Sequence, residues 1–183
     1  QWEPKGSDMI FHGELVDDQL KGTLIYTDGS VLHWTGVKAP KLAYTENPKW
    51  DKTIKVFNGK DLSGWHVDGD KNQWMVKDGI LTRPDSGSNF ITDQKFQDFK
   101  LHAEFRFPKG SNSGIYLRGR YEVQIVDSEG LEPSDIYIGG VYGFLEPNQN
   151  AGKPGGEWQT YDITLIGNRV TIELNGKTII SDA

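Results

Sequence analysis

Between Asp98 and Asp127 the chain reads DFKLHAEFRFPKGSNSGIYLRGRYEVQIVD, three successive segments in which apolar and polar side chains alternate. In a strand neighbouring side chains point to opposite faces, so Phe99, Leu101, Ala103, Phe105 and Phe107 share one face while Lys100, His102, Glu104 and Arg106 share the other. Ile115 and Leu117 alternate with Tyr116 and Arg118 in the second segment, and Val123 and Ile125 with Glu122 and Gln124 in the third. Paired as a meander, the three would collect Glu104, Arg106, Tyr116, Arg118, Glu122 and Gln124 on one sheet face. Carboxylates, guanidiniums, a phenol and an amide in one cluster make a site for a hydroxyl-rich ligand. The competing reading is an ordinary solvated sheet face, on which opposite charges contribute only about 0.2–1 kcal/mol per pair.

Outside this stretch the texture is the same. The 183 residues include 22 glycines and only 36% hydrophobic residues, which suits short strands and tight turns better than a helical bundle. Signals for hairpin turns stand at Lys77-Asp78-Gly79, Ile166-Gly167-Asn168 and Leu174-Asn175-Gly176. Strands at this spacing predict an all-β sandwich or barrel. The first fifty residues read as a separate β-rich extension, with strand-like runs broken at Asp17-Asp18, Gly22 and Asp28-Gly29. Val37 to Lys52, rich in Pro, Lys and Asn, reads as its linker. The expected domains are therefore residues 1–50 and 51–183.

A net charge of −6 argues against a nucleic-acid or anionic-membrane partner, since both require a basic face. No run of about 18 apolar residues is present to insert into a membrane. With no cysteine, disulfides, thiol catalysis and thiolate metal ligation are excluded. His12, His33, His66 and His102 show no metal-ligand spacing. The run Asp68-Gly69-Asp70-Lys71-Asn72 opens like a calcium loop but has Gln73 at the sixth position and Gly79 at the twelfth, so it reads as a solvated turn. Gly110-Ser111-Asn112-Ser113-Gly114 carries Asn where a nucleophile elbow needs its nucleophile.

The succession FNGKDLSGW, WMVKDGILT, DFKLHAEFRFPKGSNSGIYLRG, YEVQIVDS, GGVYG and KPGGEWQTYDITLIGNRVTIELNG resembles the 3-keto-disaccharide hydrolase domain family, over roughly Ile54 to the C-terminus. The resemblance implies a concanavalin A-like jelly-roll sandwich of two antiparallel sheets, an exported protein of the periplasm or cell exterior, and a glycoside or oligosaccharide substrate. Relatives carry a further closing strand beyond the Asn175-Gly176 hairpin, so the expectation is that this strand is missing. The unit from Met9 to Trp34 is then expected to cover the open sheet, or to exchange with a neighbouring protomer in a homo-oligomer. Where EWN is usual in the family, this chain has Glu157-Trp158-Gln159.

The implied chemistry is cleavage of 3-keto-glycosides. A ketone at C3 acidifies the C2 proton; a base removes it, the enolate expels the C1 substituent, and water adds to the enone. Glu104 and Glu122 are the candidate acid and base, and Arg118 the cation that stabilises the enolate. Tyr116, Gln124, Tyr142, His102 and Trp158 are the candidate substrate-binding residues. No cofactor and no metal set is expected, although a divalent ion near Asp127 would be an alternative electrophile to the arginine. Two competing functions remain: an ordinary glycoside hydrolase on the same fold, whose usual E-x-D-x-E run is absent, and a non-catalytic carbohydrate-binding module.

Overall fold

The computed structural model describes residues 9–38 and 46–183, and every regular element among them is a β-strand. Two compact units are present, residues 1–42 and 43–183. In the first, β1 (Ile10–Val16), β2 (Gln19–Ile25) and β3 (Val31–Val37) form an antiparallel sheet in chain order. Asp17 and Asp18, with φ of 51° and 60°, close the first hairpin, where Val16 pairs with Gln19. Gly22, expected to break a strand, instead lies inside β2. A side chain there would meet the Trp34 ring at 2.4 Å, so the glycine admits a tryptophan across the sheet. Part of the expected linker, residues 39–45, lies outside the described residues.

The second unit contains ten strands: β4 (Trp65–Val67), β5 (Met75–Lys77), β6 (Ile80–Thr82), β7 (Phe90–Thr92), β8 (Phe99–Phe105), β9 (Asn112–Leu117), β10 (Tyr121–Val126), β11 (Gln159–Ile166), β12 (Arg169–Leu174) and β13 (Lys177–Ile180). The predicted turns at Asp78-Gly79 and Asn175-Gly176 are two-residue hairpins with positive φ at both positions. Ahead of β8, Phe90 is stacked between Trp65 and Trp74 at 4.9 and 5.3 Å, so these two tryptophans pack rather than bind.

One sheet of the sandwich runs β13-β12-β11-β8, and β9 and β10 form a pair that belongs to the other layer. Leu101 and Phe105 of β8, Tyr161, Ile163 and Leu165 of β11, and Ile172 and Leu174 of β12 point inward to meet Leu117, Val123 and Ile125 of β9 and β10. Tyr161 is wholly buried, and its hydroxyl spans the layers to donate to the Gln124 carbonyl. Burial pushes that phenol far above the usual tyrosine range. The architecture is the expected all-β jelly-roll sandwich.

The predicted meander does not form. β8 pairs with β11, Leu101 opposite Ile163, and among the described residues β9 pairs only with β10. The connection between β8 and β9 carries buried Phe107 followed by Pro108, and it takes the chain from one layer into the other. Alternation was read correctly within each strand, but the outward residues of β8 and of β10 lie on opposite outer surfaces of the sandwich.

Candidate functional site

The outer surface of β9 and β10 carries the more enclosed group. Cross-strand register sets Tyr116 opposite Glu122 and Gly114 opposite Gln124. On the far side of β10 a bridge between Val123 and Val141 places Tyr142 opposite Glu122 and Gly140 opposite Gln124, and the Tyr142 N–H donates to the Glu122 carbonyl at 2.9 Å. The exposed row is thus Tyr116–Glu122–Tyr142; in the row beside it, Gly114–Gln124–Gly140, the last two are buried, with the backbone of Ser134 and Asp135 over Gly140. Val141 is buried, which turns Tyr142 outward, and both tyrosines are about half exposed.

Glu122 does not extend into solvent. Its carboxylate folds over Gly114, where a Cβ would stand 2.3 Å from Oε1 and 2.5 Å from Cγ. The Tyr116 hydroxyl donates to Oε2 at 3.0 Å. That hydrogen bond, with some desolvation and the nearby negative charge, raises the Tyr116 phenol above its ordinary value. Gln124 is buried beneath the segment that follows Ser134; its Nε2 donates to the Ile136 carbonyl at 3.1 Å, and its Oε1 is buried without a partner.

Glu104, His102 and Trp158 lie elsewhere. They project from the outer surface of the four-stranded sheet, where His102 Nδ1 is 2.7 Å from Asp162 Oδ1 and His102 Nε2 is 4.0 Å from Glu104 Oε1. Trp158, just before β11, has the Arg106 guanidinium 5.1 Å from its ring centre. Glu104 and Glu122 therefore cannot act on one bond, which corrects the expectation that they share a cleft.

Arg118 is also displaced. It has φ of 54° in the turn after β9, so strand parity does not extend to it. Its guanidinium donates to the Gln97 carbonyl, to the Gly167 carbonyl at 2.6 Å and to Asp98 at 3.0 Å, and the side chain is largely covered. It ties the β9–β10 turn to the neighbouring chain and has no donor directed at Glu122. Asp127 accepts from the Gly110 N–H at 2.8 Å and holds the loop before β9. Among the described residues no group of three or more His, Asp or Glu side chains is arranged to hold a metal ion.

Sequence reasoning missed Gly114 and Asp162. An isolated glycine inside an alternating strand was the available signal for the first, since it marks close approach of another group. The second needed the pairing of β8 with β11, which local pattern does not reveal.

The comparisons with known proteins agree with this fold. A 3-keto-disaccharide hydrolase from Bacteroides thetaiotaomicron is 33% identical over 103 residues, covering 48% of this chain and 34% of that protein. The chain thus spans about a third of the length of that relative. A crystal structure from Parabacteroides distasonis, assigned as a glycosyl hydrolase, superposes with a TM-score of 0.61 at 33% identity, over 71% of this chain and 64% of that one. A second from the same organism, with the same assignment, gives 0.59 at 25% identity, over 68% and 69%. Residues 52–183 match the model of the 3-keto-alpha-glucoside-1,2-lyase-like domain, and the chain belongs to that family.

Proposed function

We infer that the Tyr116–Glu122–Tyr142 surface cleaves 3-keto-glycosides by elimination across C1 and C2, with Glu122 as the base. The observation that carries this reading is the posture of Glu122, laid over Gly114 with Oε2 held by Tyr116 and Oε1 left to react. In the proposed reaction Oε1 takes the C2 proton, and the C–H electrons pass into the C2–C3 enolate. Collapse of the enolate breaks the C1–O bond, and the proton now on Glu122 passes to the departing oxygen. Water can then add at C1 of the enone while a proton returns to C2, giving net hydrolysis. One carboxylate suffices for every transfer.

The tyrosines supply the remaining roles. Tyr116 steadies the carboxylate in its ionised form, and the Tyr142 phenol is the donor for the enolate oxygen. The two glycines make room for the protein itself: Glu122 lies over Gly114, and the backbone of Ser134 and Asp135 lies over Gly140. An ordinary glycoside hydrolase is disfavoured, because it needs two carboxylates about 5–9.5 Å apart across one bond, whereas Glu104 and Glu122 face away from each other.

The test is incubation with a 3-keto-glucoside and with its unoxidised parent. Cleavage of the ketone alone, lowered at least about a hundredfold in Glu122→Gln, supports the reading. Equal cleavage of the parent, or full turnover by Glu122→Gln with the fold intact, overturns it.

A further inference from the structure

The four-stranded sheet has an outward surface that the proposed chemistry leaves unused. Continuing the β8–β11 register beyond Gln159 and Phe105 places Trp158 opposite Arg106, then Thr160 opposite Glu104, Asp162 opposite His102 and Thr164 opposite Lys100. At the far end Lys100 Nζ lies 5.2 Å from the ring centre of Trp50. Two tryptophans, 43% and 42% exposed, therefore border a strip of paired polar side chains. From Arg106 to Lys100 the strip runs about 20 Å, at roughly 3.4 Å per residue.

The groups on this strip are fixed rather than loose. His102 is oriented by the 2.7 Å bond to Asp162, which leaves Nε2 directed outward near Glu104. Each indole has a cation against it, which limits its rotation while part of the ring stays open to solvent. Aromatic faces spaced along a rigid strand, with carboxylate, imidazole and hydroxyl groups between them, match the alternating apolar faces and hydroxyl edges of a sugar chain. An anionic polymer fits less well, since Glu104 and Asp162 lie at the centre of the strip.

We propose that this surface is a second carbohydrate-binding site, an anchor for a glucan chain lying along β8 on the side of the sandwich opposite Glu122. It rests on the carbohydrate reading of the domain but not on the chemistry given to Glu122. A chain held here is not the bond being cleaved, so the site concentrates the domain on its polymer without entering the reaction.

Electrophoresis of the full chain through native gels containing dextran, soluble starch or hydroxyethyl cellulose tests the proposal. The wild-type chain should be retarded by at least one glucan, and Trp158→Ala and Trp50→Ala should each weaken that retardation by roughly tenfold. Glu122→Gln should be retarded like the wild type, while Trp158→Ala keeps wild-type turnover of a small 3-keto-glucoside, which also verifies its fold. Loss of turnover in every preparation with retardation preserved would sink the reading of Glu122 and leave the anchor standing. Equal mobility with and without all three glucans overturns the anchor, as does retardation unchanged in both tryptophan variants. A change in sedimentation of Trp158→Ala in place of a change in retardation would assign the surface to contact between copies of the chain, and also overturns it.

Discussion

Glu122 rests over Gly114, a residue diagonal to it on the neighbouring strand, at a distance that leaves no room for a Cβ. The obstructing atoms run from Cγ to Oε1 of Glu122, so an added methyl group would force the whole side chain into another rotamer and expel the carboxylate. Gly114→Ala should therefore cost no more than about 1–3 kcal/mol of stability while lowering turnover of a 3-keto-glucoside by at least about a hundredfold. Thermal melting and steady-state kinetics on the same preparation check both halves; a large stability loss with proportional activity would make the glycine structural.

The two glutamates should separate cleanly. Glu104→Gln should leave turnover of a small 3-keto-glucoside within about twofold of wild type, whereas Glu122→Gln loses about two orders of magnitude. Comparable losses in both would return the chemistry to the His102 side of the sandwich.

Tyr116 provides a spectroscopic report on the site. Its phenol is raised chiefly by the hydrogen bond to Glu122, so the bond's contribution is complete below the ordinary tyrosine value of about 10 and is lost as pH rises through the higher folded value. Besides Tyr161, which burial keeps protonated, ultraviolet difference titration should show Tyr116 ionising late in the wild type. In Glu122→Gln and Gly114→Ala that same tyrosine should titrate earlier, because the accepting carboxylate is gone or displaced. A wild-type profile in both variants would mean that the pair does not form in solution.

Arg118 is expected to matter for stability alone. Replacing it with Ala removes the guanidinium donor from the Gln97 and Gly167 carbonyls and leaves Asp98 with the Gly167 N–H, at a cost of roughly 2 kcal/mol. The folded fraction should turn over substrate at the wild-type rate, and a fall in kcat without a fall in melting temperature would restore the cationic role.

Much of this was readable in the residues. Alternation gave the inward and outward sets of β8, β9 and β10, and Asp78-Gly79 and Asn175-Gly176 marked the β5–β6 and β12–β13 hairpins because both positions of such a turn need positive φ. What alternation cannot give is the layer to which a strand belongs. The inward residues of β8 and β10 look alike in sequence because they face the same core from opposite sides. Arg118 was misplaced for a related reason: parity was carried one residue past Leu117 into a left-handed turn. Tyr116, Glu122, Gln124 and Tyr142 came together because they depend only on β10 and its immediate neighbours.

The hydroxyl of Tyr161 gives the outer surface a dependence on the interior. By donating to the Gln124 carbonyl from the opposite layer, it fixes β10 lengthwise. Slippage of that strand by one residue would break a buried hydrogen bond and also turn Glu122 toward the core, where its charge would have no water. Errors of register at this strand are thus selected against by folding itself, before any substrate is met. Redesign of the residues on that outer surface can proceed freely so long as the core beneath them keeps the hydrogen bond from Tyr161 to Gln124.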